Sequence, residues 1–221
     1  MSAARLLLTT RVIRKFSDMI AIIDYDAGNI KSVEKALTFI GEEVVLTYDR
    51  ETILSADGVI LPGVGAFGDA MERLDKRGLS DTLREVAKRQ IPLLGICLGQ
   101  QLLFDSSEES PGVKGLGILK GEIKRLPDKG LKIPHIGWND LKYPNKGRLF
   151  KNVPEGTYVY FVHSYYLDAA DKSIVTATTE YGATVEASVE SGNVFATQFH
   201  PEKSSDMGLL MLRNFVDIVK G

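Results

Sequence analysis

One cysteine, Cys97, and three histidines, His135, His163 and His200, are the nucleophile and base candidates of this 221-residue chain. Cys97 stands in Gly95-Ile96-Cys97-Leu98-Gly99, after an apolar run and before the apolar periodic stretch Leu98, Leu102, Leu103. That is the form of a nucleophile elbow, G-x-C-x-G in place of G-x-S-x-G: a strand-to-helix turn holds the nucleophile in a strained backbone conformation, and the flanking glycines leave room for it. At a helix N-terminus, unpaired N–H groups and the dipole favour thiolate over thiol and can also stabilise an oxyanion. The alternative, a small buried cysteine at a helix start, is the commoner fate of a lone cysteine. The glycines and the strand-to-helix setting favour the nucleophile.

A thiolate needs a base. His200 ends the β-rich run 194–199, and Glu202 lies two residues on, across Pro201. In an extended segment positions i and i+2 point the same way, so the carboxylate can fix the imidazole tautomer as the third member of a triad does. Taken alone, His-Pro-Glu is a weak signal that is more often a surface turn. His135 follows Pro134 in a loop-like stretch and His163 sits in the β-rich run 158–166, which suggests structural or binding roles for both. No H-E-x-x-H or C-x-x-C spacing occurs, so no metal site is expected.

A second turn, Pro62-Gly63-Val64-Gly65, follows the apolar run ending at Leu61 and precedes a helix-like stretch from Gly68. At the carboxyl edge of a parallel sheet such a turn can aim backbone N–H groups at a developing negative charge. It lacks the Lys-Ser/Thr of a P-loop and the third glycine of a dinucleotide fingerprint, and it also reads as a plain tight turn.

The elements that must position these residues are those of a folded globular domain: 44% of residues are hydrophobic and 25% charged, with no linker or low-complexity stretch to divide the chain. The formal net charge of −2 offers no general attraction for nucleic acid or anionic lipid, so neither is expected as a partner. No apolar run is long enough to span a bilayer, and one cysteine cannot form an internal disulfide, so a cytoplasmic location is expected. Residues 1–18 carry Arg5, Arg11, Arg14 and Lys15 against Asp18 alone. They read as an N-terminal extension outside the fold, since the stretch is short for a transit peptide and lacks an Ala-x-Ala-like cleavage site; residues 19–221 form the domain.

From Ile20 the chain alternates short apolar runs with helical periodicity. Residues 20–23 form an apolar run, a polar turn spans 24–29, and Ile30, Val33, Leu37 and Ile40 follow at spacings of three and four before Gly41. Residues 44–46, 59–61 and 93–96 repeat the buried-strand signature, with a helix-like stretch at 79–88. Such strands without polar alternation indicate a parallel sheet covered on both faces. Later, 174–180, 183–190 and 194–199 read as strands joined by turns at Tyr181-Gly182 and Ser191-Gly192-Asn193, an antiparallel extension of the core. A last helix carries Leu209, Leu212, Val216 and Val219, with Ser204, Ser205 and Asp206 as candidate caps. The expected fold is three-layer α/β, with a flavodoxin-like, mostly parallel sheet and an antiparallel extension.

Together, Gly95-Ile-Cys97-Leu-Gly99-Gln-Gln101 and Gln198-Phe-His200-Pro-Glu202-Lys-Ser resemble the two signatures of class I (triad) glutamine amidotransferases. Asp24-Tyr-Asp-Ala-Gly-Asn29, Pro62-Gly-Val-Gly-Ala-Phe-Gly68, Pro134-His-Ile-Gly-Trp-Asn139 and Tyr160-Phe-Val-His-Ser-Tyr165 further resemble its branch of glutaminase subunits of imidazole glycerol phosphate synthase. Gln100 departs from the methionine common there. The resemblance implies that Cys97 attacks the side-chain amide of glutamine, that His200 shuttles protons and that Glu202 orients it. It implies an oxyanion hole from the N–H groups of Leu98 and Val64, and substrate contacts from Gly63, Gly65, Gln101, His163, Ser164 and Tyr165. It also implies release of ammonia to a (β/α)8-barrel cyclase subunit in a heterodimer, with Asn29, Trp138 and Lys203 facing that partner and no cofactor. The rivals are a glutaminase subunit of the anthranilate or aminodeoxychorismate synthase type and a non-catalytic binding subunit on the same fold.

Overall fold

A computed structural model describes residues 19–26 and 28–221; the extension expected at 1–18 lies outside the described residues. In chain order the elements are β1 (Ile20–Ile23), α1 (Ile30–Phe39), β2 (Val44–Thr47), α2 (Arg50–Leu54), β3 (Gly58–Leu61), α3 (Phe67–Lys76), α4 (Leu79–Lys88), β4 (Leu93–Ile96) and α5 (Leu98–Leu102). They continue with β5 (Ser106–Ser107), β6 (Gly121–Arg125), β7 (His135–Asp140), β8 (Tyr158–His163), β9 (Tyr165–Ala169), β10 (Val175–Glu180), β11 (Thr184–Ser191), β12 (Val194–Thr197) and α6 (Ser205–Lys220).

The main sheet runs β10-β11-β12-β4-β3-β1-β2, parallel from β12 to β2 and antiparallel across β12, β11 and β10. Every residue of β1, β3, β4 and β12 is buried. Alternate side chains divide between two cores: Ala21, Ile23, Val59, Leu61 and Leu93 pack under α3 and α4, while Ile20, Ile22, Ile60, Leu94 and Ile96 pack under α1 and α6. Two covered faces are what continuous apolar strands require. The fold is therefore the three-layer α/β arrangement with an antiparallel extension. β2, expected to be buried like its neighbours, is only half-buried because it is the edge strand.

Between β4 and β12 the chain builds a three-stranded sheet, β5-β6-β9, and a two-stranded ribbon, β7-β8. The run 158–166 is thus two strands that break at Ser164 and pair with different partners, β8 with β7 and β9 with β6. His135, expected in a loop, begins β7 directly opposite His163. At the start of α6 the Ser204 side chain does not cap the helix. Its hydroxyl donates to the His200 carbonyl at 2.6 Å and accepts from the Tyr160 N–H at 3.0 Å, which ties the segment after β12 to β8.

Candidate functional site

The parallel register Thr197↔Ile96 brings the ends of β12 and β4 side by side, and the Cys97 N–H donates to the Thr197 carbonyl at 2.7 Å. Hence the segment carrying His200 leaves the sheet next to Cys97, at the carboxyl ends of the strands where open α/β sheets place their ligands. Cys97 has φ 55° and ψ −107°, a positive φ for a side-chain-bearing residue at the step from β4 to α5. The glycines around it permit the close approach that this conformation needs. A Cβ on Gly99 would sit 1.8 Å from the Leu61 carbonyl oxygen, and one on Gly95 would sit 2.7 Å from the Gly99 oxygen.

Behind Cys97, His200 and Glu202 are fully buried side by side, with Nδ1 2.7 Å from Glu202 Oε1. The pair is made by a turn of 3-10 helix, Pro201–Lys203, rather than by the extended geometry expected; Pro201 at the first position supplies the fixed φ that starts the turn. Burial alone would lower the His200 imidazole, but the Cys97 sulfur and then the Glu202 carboxylate outweigh it and push it up to about 9. With Nδ1 held by the carboxylate, Nε2 is buried without a hydrogen-bond partner among the described residues, although Cys97 is close enough to act on the ring electrostatically.

Asn29, expected to face a partner subunit, points its side chain inward: Nδ2 donates to Glu202 Oε1 at 2.6 Å and lies 3.5 Å from His200 Nδ1. The αL conformation at the head of α1, φ 71°, aims it there. Trp138 is half-exposed on β7 and Lys203 is exposed at the end of the 3-10 turn, so neither reaches the site.

In front of Cys97 lies a cavity of about 300 Å³, lined by Val64, Gly65, Leu98 and Gln101, by Val162 to Tyr165, and by Pro134 and Glu109. This is the low end of the range for small-molecule sites. His163, Ser164 and Tyr165 form the wall at the strand break; His163 Nδ1 donates to the Tyr165 carbonyl at 2.9 Å, and its Nε2 faces His135 Nδ1 at 3.1 Å. Burial pushes His163 down to about 3 and His135 down to about 4, so the pair is neutral. Gln101, which lines the cavity, has its Nε2 donating to the Tyr165 carbonyl and to Gln198 Oε1.

The turn 62–65 is anchored by Tyr25, whose hydroxyl donates to the Pro62 carbonyl at 2.8 Å and stays protonated because burial raises it. Gly63 lies beneath that hydroxyl, where a Cβ would stand 2.3 Å from the oxygen. The Leu98 N–H, expected to be an open oxyanion donor, instead donates to the Gly63 carbonyl at 3.3 Å. In a trans peptide the C=O and N–H point oppositely, so the Val64 N–H of the same plane faces away from Leu98. The two-donor hole is not assembled in this arrangement.

Two residues of the site escaped the sequence reading. Glu109 is the only carboxylate among the described residues that line the cavity, and it accepts the Phe67 N–H at 2.7 Å; it lies in a polar stretch with no motif to single it out. Gln198 stood within the His200 motif but received no role; it is fully buried, and its Nε2 lies 3.7 Å from Cys97 Sγ.

Comparison with known proteins agrees with this geometry. Residues 21–219 match the family model described as "Glutamine amidotransferase class-I". The chain is 55% identical to the imidazole glycerol phosphate synthase subunit HisH of Moorella thermoacetica, over 91% of this chain and 95% of that protein. It is 52% identical to the HisH subunit of Dehalococcoides mccartyi, over 92% and 98%. Among solved structures, one titled "Crystal structure of glutamine amidotransferase" superposes with a TM-score of 0.72 at 20% identity, covering 91% of this chain and 99% of that one. "Structure of PurLQS from Thermotoga maritima" superposes with 0.70 at 22%, again over 91% and 99%. At these identities the two likenesses speak for the fold alone. The chain belongs to the class I glutamine amidotransferases, in the branch formed by the HisH subunits of imidazole glycerol phosphate synthase.

Proposed function

We propose that the chain is the glutaminase subunit of an imidazole glycerol phosphate synthase, hydrolysing glutamine to glutamate and ammonia for histidine biosynthesis in the cytoplasm. The observation that carries the chemistry is a strained elbow cysteine with a buried His–Glu pair behind it and a small cavity in front. The 52–55% identities to HisH subunits support the pathway.

In the reaction, His200 holds a proton at neutral pH, and the Cys97 sulfur is the nucleophile. Sγ attacks the amide carbon of glutamine, and the tetrahedral oxyanion forms at the mouth of α5. His200 Nε2 hands its proton to the departing nitrogen, and ammonia leaves a glutamyl thioester on Cys97. Water, deprotonated by the same Nε2, then attacks the thioester and frees glutamate and the thiolate. Glu202 keeps Nδ1 protonated and the ring aimed, and Asn29 fixes the carboxylate. Glu109 receives the α-ammonium of the substrate, while Gln101, Ser164 and Tyr165 hold its remaining polar groups.

The oxyanion is stabilised by the N–H groups of Leu98 and Val64 once the Gly63–Val64 peptide turns over, a step assigned to docking of the partner. The partner is a (β/α)8-barrel cyclase that consumes the ammonia. It seats on the outer face of the β7-β8 ribbon, where Ile136 is 54%, Trp138 51% and Tyr158 60% exposed, and Pro134 and Val162 lead from that ribbon into the cavity. Exposed apolar residues clustered beside a cavity mark an interaction site, and Lys203 borders it.

The test is glutamate release and nucleotide product formation by the chain with its cyclase. Cys97→Ala is expected to abolish glutamine-dependent synthesis and to leave synthesis from added ammonia intact. Loss of both would show that Cys97 supports docking or folding, and activation by a chorismate-using subunit instead would move the chain to another pathway.

A further inference from the structure

The side chain of Gln198 touches the nucleophile, and its orientation is fixed by a chain of partners with one solution. Shape does not distinguish the two ends of a carboxamide, so hydrogen bonding must. The Tyr165 carbonyl can only accept, which places the Gln101 nitrogen against it at 3.0 Å. The second N–H of that nitrogen points at Gln198 at 2.9 Å, so the Gln198 end there is oxygen. Its nitrogen is left for Cys97 Sγ, 3.7 Å away. Gln198 is wholly buried and its backbone N–H is pinned to the Ala187 carbonyl at 2.8 Å, so the side chain has no water to turn towards.

An N–H aimed at sulfur is a weak contact for a thiol and a charge-assisted one for a thiolate. The Cys97 thiol, by contrast, has the Val162 carbonyl to donate to, at 3.9 Å, a contact available only while it keeps its proton. The two neighbours thus pull in opposite directions, with His200 adding to the Gln198 side and the protonated Tyr25 hydroxyl and neutral His163 also near the site. We propose that Gln198 is a thiolate-stabilising donor of the amide hydrolysis, locked in its donor orientation by Gln101 and the Tyr165 carbonyl. Because Gln101 and Tyr165 also line the cavity, the relay joins the substrate wall to the sulfur. This deepens the glutaminase reading and rests on it.

The chain has a single cysteine, so alkylation by iodoacetamide reports Cys97 alone in the full-length protein. Gln198→Leu removes the donor. Gln198→Glu keeps the acceptor for Gln101 and puts an oxygen against sulfur. Both are expected to alkylate about tenfold more slowly at pH 7, the loss of one hydrogen bond to a charged group, with the pH midpoint of the reaction raised. In the complex with its cyclase, kcat falls with little change in KM.

An alkylation profile identical to that of the parent in both variants would overturn the proposal. Should both unfold, the side-chain amide of Gln198 in the 15N-labelled parent must shift as Cys97 ionises, and an invariant resonance would overturn it equally. Failure of the glutaminase reading looks different: the parent complex would then release no glutamate at all.

Discussion

Cys97 is held at φ 55°, a region that costs a side-chain-bearing residue about 1–3 kcal/mol and that glycine enters freely. The strain is retained because it lifts Sγ off the sheet into the cavity while the backbone stays in register with Thr197. Comparing Cys97→Ala with Cys97→Gly isolates it. Elsewhere glycine is the less stable of the two by about 0.5–1 kcal/mol; here Cys97→Gly is expected to be the more stable by about 1 kcal/mol in denaturant midpoint. The ordinary order of the two would show that the elbow is unstrained. Gly99 tests the same turn from the other side: in Gly99→Ala the methyl collides with the Leu61 carbonyl at 1.8 Å, and a loss of more than about 3 kcal/mol is expected from displaced main chain. At this scale Cys97, His200 and Glu202 were legible because each lies within a few residues of the feature that marks it. The contacts of Asn29 with Glu202 and of Gln101 with Gln198 span 173 and 97 residues, and local spacing says nothing about them.

Among the elements, the β7-β8 ribbon joins the cavity wall to the outer surface. Its cross-strand pair of histidines, His135 and His163, is neutral because burial pushes both down. For a base lowered on folding, the unfolded chain binds the extra proton, so stability is full above the unfolded value near 6.5 and falls with pH below it. Between pH 6.5 and pH 5 the fall is about 1.5 kcal/mol from each histidine, because both folded values lie below that window. His200 has the opposite sign: raised to about 9, its contribution is full below 6.5 and is lost as pH rises through 9. Denaturant midpoints at pH 6.5 and 5 for the parent and a His135→Asn/His163→Asn double variant check this; equal slopes would refute it. The outer side of the ribbon carries Trp138, half-exposed with its edge towards Tyr160. Trp138→Ala is expected to weaken cyclase binding at least tenfold by calorimetry while the isolated chain stays within about 0.5 kcal/mol of the parent. The core strands were readable because both their faces are buried. The ribbon was not, because β7 turns Ile136 and Trp138 outward and buries His135, the reverse of the expected pattern.

For the molecule as a whole, the parallel sheet supplies a rigid floor and the insertion between β4 and β12 supplies one wall of the site, so nucleophile and oxyanion turn are supported separately. Cys97, His200 and Glu202 rest on β4 and β12, whereas the Gly63 carbonyl that occupies the Leu98 N–H belongs to the turn after β3. On the proposed reading, docking acts on the hole without touching the nucleophile. Loss of a single oxyanion donor costs about 10²–10³ in rate, so glutamine hydrolysis by the isolated chain is expected to rise at least about a hundredfold when the cyclase and its nucleotide bind. Alkylation of Cys97, which develops no oxyanion and uses only the thiolate, is expected to stay within about twofold under the same conditions, because the hole stabilises nothing in that reaction. Parallel increases in both rates would place the block at the thiolate and would count against the turn. A stimulated hydrolysis with an unchanged alkylation would place it in the Gly63–Val64 peptide, whose reversal releases the Leu98 N–H and presents the Val64 N–H in one movement.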